Sequence, residues 1–483
     1  MAGWTRREVL AAGLAAPWLP VTGRPTPPAV PLATLLDGLV RKHRMPGALA
    51  AVWRDGKTEM AAAGVANLNT GVPMTVDTGF LTGSITKVWT STLVMTFVDD
   101  GTLALDRPVE TYLPHFRWAG GSVTVLQLLN HASGFDAGDL LLELGDGPAA
   151  HRRYADILMS VGQIHRPGAY SSYCNGAYIL AGHLLEFLTG RSFDRLLRER
   201  VVEPLGLDRT VTAPEEAILH RTAVGSLPDP AIPGRRRATP KFLLPKSAAP
   251  AGSTLITTLA DQLSFAAMHI GRGIGPSGRR VLTDQSAAAM ATRTIGRPVG
   301  GGASGIGWGL RGQGRDLRLA HSGGSNGGIA QLVVYPERRL AFASFANAID
   351  SYGFHAELQQ RVLGQVVPAP APASPPLPAE PRRPLSPESV VGQYRRKSEI
   401  LVVRHDGGKF AAELVAIPED FDGGEIYGLG QPRFALEQTG PTQLTSIEAV
   451  QLGQRQSIDF LELRPDGRYD LAYTSNRLSR RAD

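Results

Sequence analysis

Cys174 is the only cysteine in this chain of 483 residues. It therefore carries no internal disulfide framework and no CxxC metal or redox site. Lysine is nearly as scarce, with seven against forty-three arginines. No run of five basic residues occurs, Arg235 to Arg237 being the longest, so the formal charge of +6 reads as scattered surface charge. That charge attracts anionic polymers such as wall or membrane surfaces weakly and does not indicate nucleic-acid binding. No stretch is long and apolar enough to cross a bilayer. What remains, 43% hydrophobic and 19% charged residues, is globular composition with room for a substantial core in two or three domains.

Residues 1–23 read as an export signal. Arg6-Arg7 precede the short, mildly apolar run Val9 to Ala16, and small residues follow. Thr5-Arg6-Arg7-Glu8-Val9-Leu10 resembles the bacterial twin-arginine signal, which implies an exported protein, periplasmic or extracellular.

Beyond it, the spacing of Leu32, Leu35, Leu36, Leu39 and Val40 predicts a helix over 31–44. Asp55-Gly56 joins two strands, Gly47 to Trp53 and Lys57 to Val65. Helical patterns at Thr124 to Asn130, Ala155 to Val161, Ala177 to Leu188 and Phe193 to Arg200 make an all-helical block from about 103 to 210. Ile218 to Ala249 reads as a long loop. Leu259 to Ile270 reads as a helix capped by Thr258. Four short strands follow, Ile306 to Leu310, Leu317 to His321, Gly328 to Tyr335 and Leu340 to Phe345, and then a helix from Tyr352 to Leu363. Strands near both ends with helices between them predict an α+β domain over 28–365: an antiparallel sheet flanked by helices, with an inserted all-helical subdomain. Nine prolines between 367 and 387 make residues 366–387 a semi-rigid linker. Residues 388–483, with hairpin turns at Gly407-Gly408 and Asp466-Gly467, predict a small antiparallel β-barrel-like domain without a catalytic constellation.

The stretch Phe80 to Gly101 organises the rest. A small-residue turn leads into a helix with Ser84 at its start and Lys87 three residues on, about 5–6 Å away at Cβ on the same face. A serine hydroxyl needs a neighbouring base to attack, and a lysine serves once desolvation populates its neutral form. This is the only Ser-x-x-Lys in the chain. Tyr173-Cys174-Asn175 is the only Tyr-x-Asn, and offers a phenol to relay protons and a carboxamide to bond an amine and a carbonyl. His321-Ser322-Gly323-Gly324 ends a strand and begins a glycine-rich turn where a substrate could lie against the strand edge.

In this order the three motifs resemble those of the serine penicillin-recognising enzymes, in particular the class C β-lactamase-like branch that includes DD-peptidases, D-aminopeptidases and esterases. Met45-Pro46-Gly47, Leu128 to Gly134, Glu203 to Leu207, Pro250 to Ser253 and Gly307 to Gly309 are similar to family stretches as well. The resemblance implies a β-lactamase/transpeptidase-like fold and a serine hydrolase that cleaves an ester or amide bond in a small molecule or peptide. It requires no cofactor and no metal. By position it implies Ser84 as nucleophile, Lys87 and Tyr173 sharing proton transfer, and Asn175 orienting Lys87 and the substrate. The N–H groups of Ser84 and Gly324 would form the oxyanion hole, with His321, Ser322 and Gly323 binding substrate. The C-terminal domain is similar to the small β domain of some members.

His321 departs from the pattern, because lactamases and penicillin-binding proteins usually carry a lysine there. A mostly neutral histidine holds a carboxylate less firmly, which favours esterase, amidase or peptidase chemistry over β-lactam hydrolysis. His131 sits in a stretch similar to a structural turn of the family, and Cys174 reads as packing. Two other readings stay open: an acyltransferase using the same acyl-serine, and a non-catalytic scaffold that binds wall polymer. Oligomeric state is not legible.

Overall fold

Asp55 and Gly56 turn the chain with φ of +50° and +86°. This left-handed pair suits a two-residue hairpin, and it joins β1 (Gly47–Arg54) to β2 (Lys57–Gly64). Six more strands complete the sheet: β3 (Ile295–Gly296), β4 (Ala303–Ser304), β5 (Gly309–Arg311), β6 (Arg318–Ser325), β7 (Gly328–Tyr335) and β8 (Leu340–Ala346). Their order is β2-β1-β8-β7-β6-β5-β4-β3, antiparallel throughout. Strands from both ends of the domain thus meet at the β1–β8 pairing, with Ala48 opposite Ala346. The computed structural model describes residues 30–364, 367, 384–417, 431–450 and 454–482. The expected export signal and most of the proline-rich linker lie outside the described residues.

Period-two alternation sorts the sheet side chains to two faces. Ala48, Ala50, Val333 and Phe342 pack with Leu36, Leu39, Phe354 and Leu358 of α1 (Leu32–Lys42) and a C-terminal helix, Tyr352–Leu363. Leu49, Ala51, Leu332 and Val334 join the larger core on the other face. The centre of that core is α2 (Thr86–Asp99), in which every residue from Thr86 to Phe97 is buried. Trp89 stacks on Phe265 at 3.8 Å. Buried hydroxyls along α2 find local acceptors: Thr90 Oγ1 donates to Pro250 O at 2.7 Å and Thr92 Oγ1 to Val88 O at 2.9 Å. A helix buried all round shows little amphipathic contrast, as this one does.

The helical block holds, with two shifts of boundary. The helix expected at 155–161 runs Gly147–Leu158, because Pro148 in its first turn sets the start. The helix after Tyr173 is α3 (Asn175–Thr189). The expected loop 218–249 contains a two-stranded hairpin, Ser226–Pro228 with Arg236–Ala238. A short helix absent from the sequence reading, Asp284–Met290, is capped by the Thr283 side chain.

The C-terminal strands close into a barrel of eight, running from Gly392–Arg396 to Arg477–Arg481. The first pairs with the last at Tyr394 and Arg481. Tyr394, Leu401, Leu444 and Phe460 fill its interior, so it is a packed core rather than a calyx. Residues 32–483 form one compact unit. No helix among the described residues is long and apolar enough to cross a membrane.

The helix α4 (Leu259–Ile270) begins where expected, with the Thr258 side chain accepting from the Asp261 N–H. Thr258→Ala should cost about 1 kcal/mol, as the loss of one buried N-cap does, read as a lowered urea midpoint with unchanged slope.

Candidate active site

Ser84 sits in a single 3-10 turn, Gly83–Ile85, that feeds α2. The turn is pressed against β6 so closely that no side chain fits between them. A Cβ on Gly323 would stand 1.9 Å from Thr82 O, and one on Gly83, whose φ is +53°, would stand 2.4 Å from Gly324 O. The glycines of His321-Ser322-Gly323-Gly324 therefore serve close approach of two backbones. The sequence reading placed a turn here, and the structure corrects it. His321 to Gly324 continue β6, paired with Leu332 to Ile329 of β7, and the chain reverses only at Asn326-Gly327.

Lys87 is fully buried. Its Nζ stands 3.0 Å from Ser84 Oγ and donates to Ala251 O at 2.6 Å. It lies 4.8 Å from the centroid of the Tyr173 ring and 5.6 Å from that of Tyr178. No carboxylate pairs with it, and burial, helped by the charge of Arg477, drives its pKa well below 10.5. Tyr173 hydrogen-bonds to Ser84, while burial raises its pKa. The two shifts point in compatible directions, toward a neutral amine beside a neutral phenol.

Asn175 opens α3 and lines the same cavity of about 360 Å³ as Ser84, Tyr173, His321, Ser322 and Gly324. It does not hold Lys87 as expected, since the hydrogen bonds of Lys87 go to Ser84 and Ala251. Gly323 is buried within β6 and does not line the cavity. His321 faces the cavity with Nδ1 2.7 Å from Ser322 O. Desolvation, with the charges of Lys87 and Arg297, lowers its pKa to about 3, so it is neutral at pH 7. His131 packs on Tyr173 at 4.3 Å and its Nδ1 accepts the Cys174 N–H at 3.2 Å. Cys174 is buried, its thiol pushed up to about 11. Among the described residues no group of His, Cys, Asp and Glu is arranged to hold a metal.

A model of the Beta-lactamase family matches residues 32–365. The chain belongs to that family. It is 38% identical over 379 residues to penicillin-binding protein 4 of Amycolatopsis lactamdurans, a match spanning 75% of this chain and 96% of that protein. It is 34% identical over 197 residues to esterase EstB of Burkholderia gladioli, across 37% of this chain and half of EstB. The crystal structure of SurE superposes with a TM-score of 0.74 at 27% identity, covering 93% of this chain and 98% of SurE, so the likeness extends over both the family region and the barrel.

Sequence reasoning missed the part of the cleft that comes from the barrel. The hairpin tip Ser475-Asn476, with φ of +51° and +65°, reaches Tyr173, whose backbone N–H donates to Asn476 O at 2.9 Å. The Arg477 guanidinium lies 4.7 Å from the Tyr173 ring centroid and pairs with Asp139 at 2.6 Å. Two neighbouring residues with turn character mark the hairpin in the sequence, but nothing there marks what it docks against.

The neutral state of Lys87 can be tested through stability. Between its lowered pKa and 10.5 the unfolded chain binds a proton at this lysine that the folded chain does not, so stability rises with pH across that window. Lys87→Met removes the site. Its unfolding free energy should climb less steeply with pH than that of the wild type on the approach to pH 10.5, by up to about 1.4 kcal/mol per pH unit, in urea titrations at each pH.

Proposed function

We propose that this chain is a serine hydrolase that cleaves an ester or amide bond through an acyl-enzyme on Ser84. The observation carrying this is the buried Lys87 amine, 3.0 Å from Ser84 Oγ and without a counter-ion. Ser84 Oγ attacks the substrate carbonyl carbon while its proton passes to Lys87 Nζ. Desolvation disfavours both the ammonium and the tyrosinate, so the neutral amine is the group ready to take a proton and acts as base, with the phenol as relay. The tetrahedral oxyanion lies between the N–H groups of Ser84 and Gly324, whose backbones the glycine contacts bring together; each such donor lowers the barrier by about 3 kcal/mol. The proton then moves through Tyr173 to the leaving oxygen or nitrogen as the C–O or C–N bond breaks. Water enters by the same route, gives a proton to the Lys87–Tyr173 pair and attacks the acyl carbon; the C–Oγ bond then breaks, the proton returns to Ser84 Oγ and the acid leaves. Asn175, His321 and Ser322 line the substrate channel along the open edge of β6.

The names of the relatives support a hydrolytic reading, and one of them is an esterase. Neutral His321 leaves its strand position without a cation, which favours esters and amides that carry no carboxylate at that point. With p-nitrophenyl acetate or butyrate as substrate, Ser84→Ala should lose roughly 10³–10⁶-fold in kcat, the range for deleting a nucleophile or its base. Lys87→Met should fall alongside it with an unchanged circular dichroism spectrum. A fluorophosphonate should label the wild type stoichiometrically and leave Ser84→Ala unlabelled. Full hydrolysis by Ser84→Ala would refute the assignment.

A further inference from the structure

His131 holds a backbone conformation that its residue type does not favour. Its φ is +64°, in the left-handed region that glycine and asparagine enter readily and other residues enter at a cost. The turn itself needs no imidazole. Its backbone bond from the Ser172 N–H to His131 O, at 2.8 Å, is open to any residue. Strain kept at one position therefore directs attention to the side chain that causes it.

That side chain is committed to the segment carrying Tyr173. The Cys174 N–H donates to His131 Nδ1 at 3.2 Å. With the bond from Ser172, this fixes the residues on either side of Tyr173, whose own N–H goes to Asn476 O at 2.9 Å. The imidazole lies 4.3 Å from the Tyr173 ring and 5.3 Å from that of Tyr178. These are the two rings that cover the Lys87 amine. Tyr178 is tied to the same stretch, its hydroxyl donating to Leu129 O at 2.6 Å.

The hydrogen bond also decides where the ring carries its proton. A backbone N–H can only donate, so Nδ1 keeps its lone pair and the single proton of the neutral ring sits on Nε2. A second proton would break the bond to Cys174 and set a positive charge beside Lys87. Desolvation, and then the charge of Lys87, oppose that proton. The support beside the two tyrosines is thus uncharged as well as fixed.

We propose that His131 is a positioning residue of the acyl-serine reaction, whose Nδ1 and ring hold the Tyr173 phenol at Ser84 and close the aromatic cover over Lys87. It acts through Tyr173 rather than on the substrate. The inference rests on the acyl-serine reading above and adds to it a residue outside the three motifs. A histidine that served the turn alone would be replaced by glycine without loss.

The test uses the full chain with p-nitrophenyl acetate, and the rate constant of fluorophosphonate labelling as a measure of Ser84 attack alone. His131→Gly relieves the backbone and removes the imidazole. It should keep the wild-type circular dichroism spectrum and a nearly unchanged KM. Its kcat and labelling rate should fall about 10- to 100-fold, the loss expected when a reacting group shifts by up to about 1 Å. His131→Asn accepts the same φ and offers an amide oxygen near the place of Nδ1, so it should run faster than His131→Gly by both measures. In protein labelled with 15N-histidine, the signal lost in His131→Asn should be that of a ring with a bare Nδ1 and a proton on Nε2. Wild-type rates in His131→Gly, or an asparagine variant no faster than the glycine one, would overturn the inference while leaving hydrolysis at Ser84 standing. A proton found on Nδ1 would overturn it too, even where His131→Gly fails to fold. A wild type that neither turns over the ester nor takes the label would sink the acyl-serine reading and this inference with it.

Discussion

An amine buried without a counter-ion is the constraint to which the rest of the structure answers. Taking an ammonium out of water costs several kcal/mol even after the protein relaxes, and Lys87 has no carboxylate to repay it. The group meets this cost by releasing its proton, which is the state a base beside a serine needs. The fold keeps water away from Nζ on every side. Trp89, Leu93 and Phe97 place α2 in the middle of the main core, the rings of Tyr173 and Tyr178 cover the amine, and the Ala251 carbonyl takes one N–H. The conditions that favour a neutral Lys87 also make it a stability liability. Such a residue is held in place by the large core around it rather than by its own contacts.

This dependence explains which parts were legible in the sequence. Elements set by near neighbours read well. Thr258 caps α4 at the residue expected, Asp55-Gly56 makes the hairpin, and the Tyr352–Leu363 helix has the bounds its periodicity gives. The structure brings Ser84, Lys87 and Tyr173 together, and that proximity was legible for another reason. Their chemistry demands company, so a rare Ser-x-x-Lys and a rare Tyr-x-Asn in one chain point to each other. What failed depended on contacts between distant segments. Gly323 and Gly324 looked like turn residues because glycine most often serves turns. Their actual role, letting Thr82 to Ser84 approach a strand, is a relation between residues about 240 positions apart and leaves no local pattern. Ala251 lay within a recognised stretch, but a backbone carbonyl has no side-chain signature.

The barrel is the clearest case of information absent from local sequence. Its strands were legible from alternation and turns, and closure follows once the edges of eight strands need partners. Its participation in the cleft was not. In the sequence Arg477 is one of forty-three arginines. In the folded chain it is mostly buried and paired with Asp139, which also lies 3.3 Å from Arg396, itself paired with Glu399 at 2.7 Å.

Those four residues carry two charges of each sign, with Asp136 near enough to act on Arg396 as well, so their charges offset one another where they are buried between the barrel and the family domain. Its worth is better counted in placement than in stability, since buried ion pairs seldom outweigh apolar packing of the same volume. An apolar seam would let the barrel slide, whereas Asp139 fixed between Arg396 and Arg477 admits one register. In that register Asn476 O meets the Tyr173 N–H, and the Arg477 guanidinium lies over the phenol ring. The positive charge opposes protonation of Lys87 and favours ionisation of Tyr173, and both effects are present in their shifted pKa values. The barrel thus reaches Lys87 and Tyr173, the pair proposed to move protons, through one hairpin tip and one guanidinium.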